Sequence, residues 1–200
     1  TIAWQSLSGA LHGQWQGESL EVKTEALELA KLNPGIPLGP IRLDASYRAN
    51  TDTPAQGILQ LDHASAGFAG GTLSVVGNTD WDLGQAPWHV PVAVRGVELS
   101  ALMNLYPTEG LAGEGTLEGQ LPVTIGPVGV RIDDGRIAAL PPGGRLQLPA
   151  DRLGSLAQSN QAMALVARAM ENFHYRQLES GINYSTDGTL LLDLTLKGSS

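Results

Sequence analysis

No cysteine occurs among the 200 residues. That absence excludes a disulfide scaffold, a cysteine-ligated zinc or iron–sulfur site, and a thiol nucleophile. Basic residues are few: Lys and Arg number 12 against 20 Asp and Glu, a formal net charge of −8. A phosphate-binding surface needs a basic footprint, so nucleic acid is not an expected partner. Charge of either sign is scarce at 16%, against roughly 25% in an ordinary soluble domain. No apolar run approaches the ~18 residues of a membrane-spanning helix. His12, His63, His89 and His174 are far apart, and no pair has the i, i+4 spacing of metal ligands. A Gly-x-Ser-x-Gly elbow, a P-loop and a His-Glu-x-x-His motif are all missing. The expectation is therefore no cofactor, no metal and no enzyme activity.

What is abundant is turn formers and alternation. The chain holds 25 Gly and 12 Pro beside an ordinary 42% of hydrophobic residues. Low charge with many turn formers and a normal apolar fraction reads as many short strands, not as disorder. From Ile41 to Ala49 the odd positions are Ile, Leu, Ala, Tyr and Ala; the even ones are Arg, Asp, Ser and Arg. That is a strand with one apolar face. Leu20, Val22, Thr24 and Ala26 alternate with charged residues, then the phase slips by one at Leu27 and Leu29. A one-residue slip is what a β-bulge produces.

Further strands are expected around Leu59 and Leu61, around Leu73 and Val75, from Trp88 to Val94, from Leu117 to Ile125, from Val128 to Ile132, and at Leu146 and Leu148. Pro87 and Pro91 point to an edge position or a bulge for the Trp88 strand. Asp133 to Arg136 reads as a hairpin turn leading into Ile137. Ile182 and Tyr184 precede the turn Thr186 to Gly188, after which Leu190 to Lys197 alternates again. Two segments break the period. Leu99, Leu102, Met103 and Tyr106 are spaced for a short helix over about 98–106, stopped by Pro107. A long helix is expected over about 151–172, where Leu156, Met163, Met170 and Phe173 fall on one side.

Roughly ten strands with one apolar face each require cover, and two helices supply little of it. Either the strands cover one another in a closed sandwich or barrel, or a curved sheet leaves an apolar face open for an apolar ligand. Other features read as structural. Asp80, Asp82, Asp133 and Asp134 lack the oxygen series of a calcium loop. Trp4, Trp15, Trp81 and Trp88 are read as core or rim anchors in preference to a sugar platform.

From residue 96 onward a resemblance emerges. It rests on GVELSAL at 96–102, GEGTLEGQLPV at 113–123, VRIDDGRIAALPPGG at 130–144, ENFHYRQL at 171–178 and YSTDGTLLLDLTLKG at 184–198. These segments resemble the C-terminal region of the YdbH family, AsmA-like proteins of Gram-negative bacteria. The resemblance is specific over about Trp88 to Gly198 and looser before. It implies that residues 1–200 are a single β-groove segment, the C-terminal part of a longer protein. That parent would be anchored in the inner membrane and reach across the periplasm to the outer membrane. The implied fold is a long, curved antiparallel sheet forming an open, taco-like apolar groove. The implied function is bridge-like transfer of phospholipid acyl chains, similar to TamB and YhdP. The implied partners are phospholipid and a small YnbE-like outer-membrane lipoprotein, bound by strand addition. The alternative function is docking of that lipoprotein on a closed β-core.

With the resemblance, the open groove becomes the expected form. The residues expected to contact acyl chains are Ile41, Leu43, Leu121, Val123, Ile125, Leu190, Leu192 and Leu194. The long helix, through Leu156, Met163, Met170 and Phe173, is expected to cap the groove or to pack outside it.

Overall fold

A computed structural model describes residues 3–33, 37–77, 79–105, 107, 109–147 and 172–199. The strands are β1 (Ala3–Gln16), β2 (Ser19–Asn33), β3 (Ile41–Asn50), β4 (Ile58–Phe68), β5 (Gly71–Val75), β6 (Thr79–Asp82) and β7 (Trp88–Glu98). After the helix α1 (Leu99–Asn104) come β8 (Ala112–Glu114), β9 (Thr116–Gly126), β10 (Gly129–Ala139), β11 (Gly144–Gln147), β12 (Phe173–Tyr184) and β13 (Leu190–Ser199).

All thirteen strands belong to one antiparallel sheet. Three pairs of segments share a position. β5 and β6 both pair with β4, at its two ends. β10 and β11 both pair with β12, and face β9 and β8 respectively. Thirteen segments thus fill ten positions, and each position neighbours the one before it in the chain. This is a meander, the simplest way to place short alternating strands joined by tight turns. The ten positions match the roughly ten strands expected.

The sheet is open. Among the described residues β1 pairs only with β2, and β13 only with β12. Every extensive contact between elements is either between hydrogen-bonded neighbours or between α1 and β7 or β8. No second sheet lies on the first, so the sandwich is excluded for the described residues.

The turns alternate between two ends of the sheet. Residues 17–18, 51–57, 83–87, 127–128 and 185–189 turn at one, here called the hairpin rim. Ala69, Gly70 and α1 lie at the other, the helix end. α1 has no capping side chain, no acidic residue in its first turn and no basic residue in its last. Six residues are far below the length at which a helix stands alone, so its stability comes from packing. It sits directly over β8: a Cβ built on Gly113 would press to 2.8 Å from Leu99 and 2.9 Å from Met103. Around it lies the buried core of Val94, Val97, Leu99, Leu117, Leu146, Tyr175 and Leu178.

Several expectations are corrected. The turn expected at Asp133–Arg136 is a bulge inside β10: the register against β9 shifts between Ile132 and Arg136, and Asp134 has φ 55°. The β9–β10 hairpin turns instead at Pro127 and Val128, with Gly126 opposite Gly129. The strand containing Pro91 is interior, between β5 and β9. Its carbonyl accepts a hydrogen bond from the Val76 N–H at 2.8 Å, so its backbone polar edge faces β5 as that strand ends. Opposite it stands Pro122, whose missing N–H falls where β10 bulges. Both prolines therefore sit where a ladder is interrupted, which an interior strand tolerates.

The long helix expected over about 151–172 lies outside the described residues at 151–171, as do Leu156, Met163 and Met170. At its end the expectation is wrong. Asn172 is in a bend, and Phe173 opens β12 opposite Leu146 instead of ending a helical stripe. The aromatic ring there joins the core from a strand.

Candidate functional site

Directly opposed residues of paired strands share a face. Following these pairs across the sheet gives one continuous row: Leu7, Leu29, Ile41, Ala66, Leu73, Val94, Gly119, Ile137, Ser180 and Leu194. It touches every one of the ten positions, and only Gly119 and Ser180 are not apolar side chains. Parallel rows flank it. Val92 stands beside Leu121, and Gly135 beside Ile182 and Leu192. Val90, Val123, Ile132, Tyr184 and Leu190 form another, and Trp88, Ile125 and Val130 the next. All eight residues expected on the apolar surface therefore stand on one face, although Ile41 and Leu194 are far apart in the chain.

Bulges keep that face apolar. Val22 and Leu27, and likewise Ile132 and Ile137, are an odd five residues apart, which would place them on opposite faces of a regular strand. The register shifts between Lys23 and Leu27 and between Ile132 and Arg136, and returns each pair to one face. The slip seen in the sequence at Leu27 is the first of these. Ala26, at φ 49°, donates its N–H to the Asp44 carboxylate at 2.8 Å there. In β10, Gly135 makes room: an added Cβ would lie 2.9 Å from the Leu121 side chain.

Exposure varies across the face. Ile41, Leu43, Leu121, Val123 and Ile125 are half-buried. Leu190 and Leu192 are 56% exposed and Leu194 48%. β1 was not foreseen as a strand, yet Leu7, Leu11 and Trp15 lie on the same face and are equally open. Gly9 and Gly13 between them dilute the alternation, although 7, 11 and 15 are all odd positions. The sequence also gave no sign that α1 would cover the helix end.

The opposite face is polar. Glu21 lies 3.5 Å from Arg48, and Glu28 3.6 Å from Arg42, in ion pairs open to water on at least one side and worth little each. This polar face also carries a depression of about 920 Å³, with Arg95, Glu118, Gln120, Arg136, Glu179 and Asp193 in its lining. The apolar face is thus distinguished by its chemistry and continuity, not by enclosure.

No group of three or more His, Asp or Glu suited to a metal ion occurs among the described residues. His63 contacts Ser65 and His89 contacts Thr124, both exposed. Among the described residues, the one buried titratable side chain with a shifted proton affinity is Tyr175. Burial raises its pKa, and its hydroxyl donates to the Glu114 carbonyl at 2.7 Å. It holds β12 against β8 and has no place on the open surface.

The described residues therefore form a single β-layer whose two faces differ in kind, one of them largely apolar across all ten positions of the sheet. A family model described as YdbH-like, intermembrane phospholipid transport protein YdbH, matches residues 1–200. The chain belongs to the YdbH-like family. Comparisons with curated proteins and with solved structures gave no match. No helix among the described residues is long and apolar enough to cross a membrane.

Proposed function

We propose that this segment carries phospholipid acyl chains along its apolar face, as part of a periplasmic bridge between the inner and outer membranes. The observation that carries the reading is the row from Leu7 to Leu194, which crosses ten strands and is apolar at all of them but Gly119 and Ser180. Exposed apolar patches beyond a few hundred Å² mark binding surfaces, and membership of an intermembrane phospholipid transport family gives the ligand class. Moving a lipid through water costs roughly 0.8 kcal/mol per exposed CH₂. A face that shields those groups lowers that cost without any bond being made or broken, so the reading assigns no catalytic residue. A twisted sheet is a saddle, concave along one diagonal of each face, which gives the taco-like groove its physical basis.

A photocrosslinking scan in the intact protein, in cells, tests this. Crosslinkers at each position from Ile41 to Ala49 and from Leu190 to Leu196 should yield lipid adducts at every second residue. Lipid adducts on neither face would refute the reading.

One observation favours a second role alongside the first. Among the described residues β13 pairs only with β12, leaving its other edge unpaired, and nine of its ten residues are exposed. Strand addition by a small outer-membrane lipoprotein fits such an edge. A proline replacing an edge residue of β13 should abolish that pairing, while charges on the apolar face should not.

A further inference from the structure

The two ends of the apolar face differ in a way that orients a lipid. At the hairpin rim the face carries Trp15, Tyr47, Trp81, Trp88 and Tyr184. Trp15 donates its indole N–H to the Gly17 carbonyl at 2.7 Å, Trp81 to His89 at 2.9 Å and Trp88 to Asp82 at 2.7 Å. The Tyr47 hydroxyl donates to the Pro54 carbonyl at 2.6 Å. Four of the five polar tips are thus tied to the rim while the rings' apolar bodies stay on the face. Both phenylalanines, Phe68 and Phe173, pack instead against the core at the helix end. Five of the seven described Trp and Tyr rings gather at the hairpin rim, while Tyr175 is buried at the helix end and Trp4 lies at the far end of β1. Trp and Tyr gather in the same way at membrane–water interfaces, where headgroups meet acyl chains.

The spacing agrees. Trp88 to Val94 spans six residues of β7, about 20 Å at ~3.3 Å per residue. Val94 is the first fully buried position along that path. On β12, Tyr184 to buried Leu178 spans six residues as well. The hydrocarbon of one membrane leaflet is half of ~30 Å deep, about 15 Å. From rim to floor, β7 to β12 offer the parts of one leaflet in order over a path about 5 Å longer: an aromatic interface, an apolar depth and a closed base at the helix end.

Resting on the reading above, we infer that the face over β7 to β12 holds a phospholipid crosswise, its headgroup at the aromatic hairpin rim and its acyl ends toward α1. Of the rim turns bordering β7 to β12, at 83–87, 127–128 and 185–189, the one charged residue is Asp187, and Glu18 and Asp52 continue the same sign along the rest of the rim, which has no Lys or Arg in its turns. Anionic headgroups are therefore disfavoured there, and headgroups bearing an ammonium fit.

The test uses the intact protein in cell envelopes and two photoreactive phosphatidylethanolamines, one with a diazirine on the headgroup and one at the acyl terminus. Crosslinked residues are mapped by mass spectrometry. The headgroup probe should label the rim turns and Trp88, and the acyl probe should label the partly exposed Leu73, Ile137 and Leu102 beside the core. The ratio of the two signals should invert between Trp88 and Ile137. The reverse order, or one distribution for both probes, overturns the inference while leaving the conduit standing; the second result means that chains lie along the rows. Failure of both probes to label the apolar face overturns the conduit reading itself. In a Trp81→Leu, Trp88→Leu variant the face stays apolar, so acyl labelling persists and the headgroup signal spreads inward from the turns. A headgroup boundary that does not move shows that the rings do not set it.

Discussion

The helix end and the hairpin rim of the apolar face are built from the same residue types in the same alternation. On β9, Leu117 is 4% exposed, while Leu121, Val123 and Ile125 on the same face are only half-buried. On β12 and β13, Leu178 is 5% exposed, yet Leu192, two rows away toward the rim, is 56% exposed. The difference is cover. α1 and the Tyr175 ring lie over one end and nothing described lies over the other. Periodicity reports which face is apolar; a separate element decides whether that face becomes core or surface. One strand can therefore serve stability at one end and ligand contact at the other.

The largest effect that separates the two ends is on stability. Leu178→Ala removes a side chain packed in the core and should destabilise by about 2–5 kcal/mol. Leu192→Ala, at an open position, should stay within roughly 0.5 kcal/mol. Denaturant unfolding of both variants measures this, and similar losses at the two sites would mean that the open end is covered after all. The next contrast is between faces. Leu192→Asp places a charge where acyl chains are proposed to pass and should abolish lipid crosslinking at Leu190 and Leu194 with little change in unfolding midpoint. Asp193→Asn, on the polar face, should leave crosslinking unchanged. Equal tolerance at both positions would break the assignment of the faces.

Most of the sheet was legible because its signal is local. Ile41 to Ala49 and Leu190 to Lys197 show uninterrupted alternation, and both form strands with the face assigned to them. The phase slip at Leu27 located a bulge because an extra residue changes the parity of everything after it. The bulge at Asp133–Gly135 was misread as a hairpin turn. Asp-Asp-Gly supplies the same positive-φ chemistry to either feature, and only the partner strands distinguish them. Pro91 misled for a similar reason: its cost depends on which neighbour its missing N–H faces. The gathering of aromatics at one rim is not legible, although the Trp residues read from the sequence as core or rim anchors. Trp15, Tyr47, Trp81, Trp88 and Tyr184 are brought to one end by five separate strands, and no spacing in the chain encodes that meeting.

Two smaller effects sharpen the contrast between the ends. Tyr175 ties the covered end together, and its pKa is raised by burial. A phenol held protonated in the folded state binds its proton more tightly than in the unfolded chain. Its contribution is thus fully present below the unfolded value of about 10 and is lost as pH rises through the folded value. Tyr175→Phe should cost about 1 kcal/mol near neutral pH and flatten the loss of stability above pH 10. An alkaline profile identical to that of the parent chain would show that another group controls it.

The smallest predicted change is a gain. Ala26 occupies the left-handed region at φ 49°, inside the bulge that keeps Leu20 and Val22 on the face of Leu27 and Leu29. A Cβ in that conformation costs roughly 1–2 kcal/mol, which glycine avoids. Part of the gain is offset, because glycine has more backbone freedom to lose on folding. The hydrogen bond to the Asp44 carboxylate uses the backbone N–H, so Ala26→Gly keeps it. The expected net stabilisation is below about 1 kcal/mol, measured as a small rise in unfolding midpoint with the slope unchanged. Asp44→Asn tests the same bulge from the other side. It retains an oxygen acceptor but removes the charge, and should weaken the site slightly. A destabilised Ala26→Gly chain would mean that the left-handed residue is not what the bulge must accommodate, and that the parity of β2 is kept by its partners β1 and β3 alone.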